Sequence, residues 1–235
     1  MVKISKRLLT ILDSAEQFCS PAVRTDNYPD SIVDLLIFHR MHFHMTPRKA
    51  RRCFNHLKSE FVDWNEVRVS VIRDIQIGLR NSYDSLELAV FIKNFLEFIH
   101  GELREISLEY LREENLSETK QFLKQIKGIK PATIEMVLMH AKGRPVLPLT
   151  LEMEKLLVKL SLAKKTETRD RKGKRLYELV GPEKVIPLHH YLLYHTNVYE
   201  KMPEPEELPA DLSLRKSRKS PAKKSKTSAK KKTSK

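Results

Sequence analysis

Cysteine is scarce in this chain. Two occur in 235 residues, Cys19 and Cys53, and they form neither a CxxC pair nor any metal-ligand spacing. That excludes a disulfide framework and fits a reducing compartment. Long apolar runs are missing too. No stretch of about eighteen apolar residues exists, so no helix is expected to span a membrane. The opening Met1-Val-Lys-Ile-Ser-Lys-Arg7 lacks a small-residue cleavage site after an apolar core, so a signal peptide is not expected. Period-two alternation is absent apart from a weak Val67, Val69, Val71 run, which leaves no credible sheet. No internal repeat is visible. What remains is an all-α chain, long enough to bury a real core.

Charge is plentiful but uneven. The chain carries a net +14. From Asp211 to Lys235, eleven Lys or Arg face one acid, so this end holds +10 and the other 210 residues hold +4. Residues 208–235 are dominated by Lys, Ser, Ala and Pro, have no aromatic residue, and are expected to be disordered. Their Ser220-Pro-Ala-Lys223-Lys224 wording is similar to lysine-rich tails of linker histones and bacterial histone-like proteins. Such a run binds nucleic acid by counterion release, without sequence choice; the plainer alternatives are a solubilising tail or one that binds RNA or other polyanions.

Helical spacing organises the rest. Leu8, Leu9, Ile11 and Leu12 predict a short first helix over 6–18. Asp30 or Ser31 can cap a second through about Phe43, and Thr46-Pro47 opens a third ending near 56–58. A connector over 61–70 runs into a helix through Leu79. Leu88, Phe91, Ile92, Phe95 and Ile99 recur at three- and four-residue steps and predict a strong helix over 85–100. Ser117 can cap the next. Residues 151–162 read as helix, 164–174 as a charged loop, 175–180 as a short helix and 185–199 as a longer one. Prolines and acids over 203–209 mark the end of the fold.

The central stretch runs from Phe122 to Leu138. It reads as a helix end, a tight turn over 127–130, and a second helix from about Pro131. Gly128 accepts a positive φ that other residues resist, and Pro131 suits a first helical position. Ile126 and Ile129 plug the turn into a core. N–H groups at such a helix start seat a phosphate, and Lys127 and Lys130 add charge beside it. The plain alternative is a helix–turn–helix corner with glycine at the turn.

The run Ile126-Lys127-Gly128-Ile129-Lys130-Pro131-Ala132-Thr133-Ile134 resembles the helix-hairpin-helix of the endonuclease III (HhH-GPD) superfamily of DNA repair glycosylases. The wording from Phe61 to Ser70 is a second point of likeness. The first glycine, the hydrophobic residue and the threonine match; Lys130 replaces the second glycine. The resemblance covers roughly Ser31 to Pro203. It implies two lobes: residues 30–141 as a six-helix barrel with the hairpin, and 1–29 with 142–207 as a second helical lobe. It implies double-stranded DNA as partner, held by Lys127, Gly128, Ile129, Lys130 and Thr133, with Lys223 and Lys224 of the tail assisting.

The same resemblance shows what has changed. Members with lyase activity attack the sugar with a lysine and assist it with an aspartate, and members without it still keep the aspartate, to stabilise a cationic sugar or activate water. Ala132 stands at the amine's position, and Leu149, in the matching Val146-Leu-Pro-Leu149-Thr150 setting, stands at the carboxylate's. Leucine neither stabilises positive charge nor accepts a proton. Glu152 and Glu154, about one turn along, are the candidate substitutes, with exposed helix acids as the plain alternative. The run from Val185 to Tyr199 resembles the helix leading into the family's iron–sulfur cluster, but Glu200 stands where a cysteine follows in the family and none comes after it. A cluster of that kind needs four thiolates, so no cofactor is expected.

His39 and His42 share a helix face, as metal ligands can, with His44 close by, yet no carboxylate lies within four residues of them. A polar patch near DNA, or partly buried histidines, is the plainer reading, and no metal is expected. Where active members carry a glutamine that fills the gap left by a flipped base, this chain has Phe38-His39-Arg40-Met41; Arg40 or His39 could wedge or stack. Trp64 reads as a packing anchor. Arg48-Lys49-Arg51-Arg52 reads as a second phosphate patch or a solvated basic face. The sequence therefore points to a monomeric, cytoplasmic, nucleoid-associated DNA-binding protein of base-excision repair without glycosylase or lyase activity. A divergent monofunctional glycosylase using Glu152 or Glu154, and a DNA-compacting scaffold, are the competing readings.

Overall fold

Ser31, Thr46, Asp63, Asn115, Thr150 and Thr168 each turn a side-chain oxygen back onto the first turn of the helix that follows. Such caps satisfy backbone donors that a helix leaves unmet. They help delimit the helices of the computed structural model, which describes residues 6–19, 28–43, 45–79, 82 and 84–196. These are α1 (Lys6–Cys19), α2 (Ile32–Met41), α3 (Pro47–Glu60), α4 (Trp64–Val69), α5 (Ile72–Gly78), α6 (Ser85–Leu103), α7 (Leu116–Gln125), α8 (Pro131–Lys142), α9 (Leu151–Lys159), α10 (Arg169–Val180) and α11 (Pro182–Tyr194). A 3-10 turn covers Glu109–Arg112. No strand occurs among the described residues, as the sequence led us to expect. All of them belong to one compact unit spanning Met1–Pro205; Glu206–Lys235 is a separate unit. His44, Glu200, Lys223, Lys224 and the whole tail lie outside the described residues.

Several boundaries differ from the sequence reading. The 61–70 stretch read as a connector holds a short helix of its own, α4, which stops at Ser70, whose backbone is extended and whose hydroxyl donates to Glu66 O at 2.7 Å; the helix expected to follow it is α5. Asn115, not Ser117, caps α7, accepting from the N–H groups of Ser117 at 3.0 Å and Glu118 at 2.9 Å. The charged loop of 164–174 is half helix, because Thr168 caps α10 there and the helix turns Lys172 and Gly173 inward. Trp64 packs near Phe54, 6.2 Å between ring centroids, and its indole N–H donates to Asp34.

Helix α2 is the hub. It packs on α3, α6 and α8, while α5 covers α3 and α6, α4 lies on α6, and α7 on α8. Helix α1 runs along α11, which also meets α9 and α10. Ile32, Val33, Leu35, Leu36, Ile37, Phe38 and Met41 are all buried, so α2 is apolar around most of its circumference rather than along one stripe.

Where α2, α8 and α11 meet, the core is built of histidine. His39, His42, His189 and His190 are each 0% exposed. His189 Nδ1–H donates to Pro148 O at 2.8 Å, which leaves its Nε2 as an acceptor for the His39 Nε2–H at 3.0 Å. The His39 Nδ1 then accepts the Thr133 hydroxyl at 3.0 Å. His42 Nδ1–H donates to Phe38 O at 2.9 Å, and the Tyr28 hydroxyl bonds to His190 Nε2. These rings are neutral: burial above all lowers His42 to about 3 and His189 to about 4, and holds His39 and His190 well below the usual value. The expectation of a polar patch near DNA, or of partial burial, is thereby corrected; the histidines are an interior polar network.

Helix α10 approaches the 146–147 segment closely. Gly173 O accepts from Leu147 N–H at 3.0 Å, and a Cβ on Gly173 would stand 2.7 Å from Leu147 O and 2.8 Å from Val146 Cγ2. Alanine normally favours a helix over glycine by about 1 kcal/mol. Here the clash dominates, and Gly173→Ala is expected to destabilise by about 1–3 kcal/mol in urea unfolding. An unchanged or higher midpoint would mean the two backbones have room between them.

Candidate nucleic-acid interface

The hairpin is α7, the turn over 126–130, and α8. Gly128 has φ of 83°, and an added Cβ would meet only ordinary contact with Phe91, so the left-handed backbone and not space demands glycine. Ile126 is buried and Ile129 half-buried, which anchors the turn as expected. Ile126 N–H donates to Leu123 O at 3.3 Å, Ile129 N–H to Ile126 O at 3.2 Å and Thr133 N–H to Lys130 O at 2.9 Å. The N–H groups of Lys127, Gly128 and Lys130 are committed to no backbone acceptor among the described residues. All three residues are exposed. Lys130 is the N-cap of α8 and offers no side-chain cap, and Pro131 carries no N–H. Uncommitted donors, a positive helix end and two exposed ammonium groups make an anion seat.

Thr133 faces the other way. It is 1% exposed and its hydroxyl is spent on His39, so its side chain is withdrawn from the outer face of the hairpin. On α3, Arg48 and Arg52 are exposed, while Arg51 lies over the Phe38 ring at 4.3 Å and serves packing.

Beside the hairpin lies a cavity of about 550 Å³. Ala132 lines it, with Arg40, Lys130, Arg169, Glu87 and Glu152 supplying charge. Leu149, 2% exposed, lines a second cavity of about 510 Å³ with Ile129, Ile134 and Val146. The two positions singled out in the sequence therefore border different cavities. Glu152 shares the first with Ala132. Glu154 is committed elsewhere, accepting from Lys172 Nζ at 2.5 Å and Arg169 Nε at 3.2 Å. Burial alone would raise the Glu154 carboxyl, but these hydrogen bonds hold it below the ordinary carboxylate value, so it stays ionised. Arg40, singled out in the sequence as a residue that could wedge or stack, lines this cavity; Arg169 was not legible there, because it sits in a stretch that reads as loop.

An iron–sulfur cluster does not fit this chain's donors. Four thiolates are needed and the sequence holds two cysteines. Cys53 is buried on α3, and burial pushes its thiol up to about 12.

No family model matches the chain. It is similar to a curated protein of Arabidopsis thaliana provisionally named a DNA glycosylase, with 26% identity over 194 residues, or 82% of this chain and 66% of that protein. The chain thus spans just under two thirds of that relative's length. Among solved structures, a non-covalent endonuclease III–DNA complex superposes with a TM-score of 0.55 at 15% identity, covering 87% of this chain and 91% of that one. A thermostable thymine-DNA glycosylase superposes with a TM-score of 0.52 at 12% identity, covering 85% and 90%. At these identities the superpositions speak for the fold.

Proposed function

We propose, from the premise that the fold is endonuclease III-like, that this chain is a monomeric, nucleoid-associated protein that binds duplex DNA in a base-excision-repair setting without excising bases. One observation carries the DNA reading: the Lys127–Lys130 turn, where three uncommitted backbone N–H groups and two exposed lysines meet at the start of α8. Contacts of that kind grip the phosphate backbone and fix position without reading sequence. Reversing both lysines, Lys127→Glu with Lys130→Glu, is expected to weaken duplex binding about tenfold or more at 0.1 M salt while leaving the melting temperature unchanged. Unchanged affinity would move the interface elsewhere.

The inactive half of the reading rests on Ala132 and Leu149. Neither an amine nor a carboxylate stands where the family's chemistry needs them, and Glu154 is held in ion pairs. Incubation with duplexes carrying oxidised, deaminated or alkylated bases is expected to yield no abasic sites, and borohydride to trap no Schiff base. A divergent monofunctional glycosylase has one observation in its favour, Glu152 on the wall of the cavity that Ala132 lines. Turnover that disappears in Glu152→Gln would establish that alternative.

A further inference from the structure

We propose that the cavity lined by Arg40, Lys130 and Arg169 is a binding site for a phosphate monoester, the end group of a broken DNA strand.

Arg40, Lys130 and Arg169 converge there with two acids, Glu87 and Glu152, and Arg169 is also paired with Glu154 from outside the cavity. Both acids are exposed at the rim, whereas Arg40 is only 5% exposed. Arg40 Nη2 donates to Glu87 Oε1 at 2.5 Å, and the guanidinium lies 5.1 Å from the Phe91 ring centre. Its Nε is buried and has no hydrogen-bond partner. A buried guanidinium with an unspent donor is a costly group for a fold to keep unless something arrives to meet it. Burial depresses this arginine more than Glu87 and Asp84 together raise it. A phosphate oxygen supplies the acceptor that the Nε donor lacks.

The backbone agrees with the side chains. The N-cap and first residues of α8 (Lys130, Pro131, Ala132) and of α9 (Thr150, Leu151, Glu152) both border the cavity, so two positive helix ends open on it. Phe43, Ala132 and Leu151 give it an apolar side suited to the sugar that carries the phosphate. A space of about 550 Å³ accommodates a nucleotide end. The same field opposes a developing cationic sugar, which is the species a glycosylase has to stabilise.

The shared chemistry is the phosphate monoester; a strand end and a free nucleotide are its two sources. The inference rests on the hairpin reading only for the first. The full chain is titrated by fluorescence anisotropy with intact duplex, with gapped duplex bearing a 5′- or 3′-phosphate, and with the same gap bearing hydroxyls. Deoxynucleoside 5′-monophosphate and inorganic phosphate are titrated separately by calorimetry. A phosphorylated end is expected to bind about tenfold tighter than its hydroxyl counterpart. Arg40→Met and the more exposed Arg169→Gln, each checked for an unchanged melting curve, are expected to abolish that gain. Nucleotide binding lost in both variants, with no gain at strand ends, assigns the same site to free nucleotides. No phosphate preference and no nucleotide binding, or a preference that survives both substitutions, overturns the proposal. Loss of binding to intact duplex alone would count against the hairpin reading and leave this one standing.

Discussion

Between about pH 6.5 and 5 this protein is expected to lose several kcal/mol of stability. Four fully buried histidines are neutral in the fold and have pKa values below the ordinary 6.5. The unfolded chain therefore takes up protons first as the pH falls. Stability is complete above 6.5 and is lost as the pH drops toward the folded values, about 4 for His189 and about 3 for His42. Each histidine costs about 1.4 kcal/mol per pH unit across that window. Down to pH 5 His42 and His189 alone remove about 4 kcal/mol, against a typical total of about 5–15, and His39 and His190 act in the same direction. The charged groups acting on the nest deepen the effect, since Arg40 lowers His39 and Arg51 lowers His42. Tyr28, bonded to His190, supplies no negative charge while it is protonated. Urea unfolding followed at half-unit pH steps is expected to show stability falling by several kcal/mol per unit below 6. A flat profile from 7.5 to 5 would show that the histidines are not proton-poor in the native state. His42→Gln is expected to flatten the profile by roughly one histidine's share.

Removing residues 211–235 is expected to change DNA affinity more than any substitution in the folded part. That segment carries eleven cations against one acid. On duplex DNA the logarithm of the binding constant falls with the logarithm of salt by about 0.9 for each phosphate neutralised. If most of the tail's cations engage, the full chain has a slope of about −6 to −10, whereas the hairpin alone contributes about −2 to −3. Truncation is then expected to cost about 100-fold or more in affinity at 0.1 M salt and to flatten the slope by several units. A slope that does not change would take the tail out of DNA binding. A scaffold role is separated in the same preparation: bridging of long DNA, with indifference to lesions and to strand ends, is its signature.

These two expectations come from opposite sources. The tail's part is pure composition, legible from the residues because a run of lysines with one acid among them acts through charge whatever its conformation. The helical class was legible for a similar reason. Apolar residues at three- and four-residue steps in 85–100 can be buried along one face only as a helix, which α6 bears out. The hairpin was legible because Gly128 and Pro131 have backbone requirements of their own, and both sit where those requirements predict.

What the sequence by itself determined is therefore local: where helices form, where the chain must turn, and where its excess charge lies. Only the tertiary structure decided which side chains share a space. It put His189 and His190 against His39 and His42 from about 150 residues away in the chain, took Thr133 into that network, and gathered Arg40, Lys130 and Arg169 around one cavity. It also separated Ala132 from Leu149 into different cavities. The physical reason is the same in each case. Helix propensity, capping and net charge act over a few residues or none, while burial and unmet hydrogen bonds depend on partners that packing alone supplies.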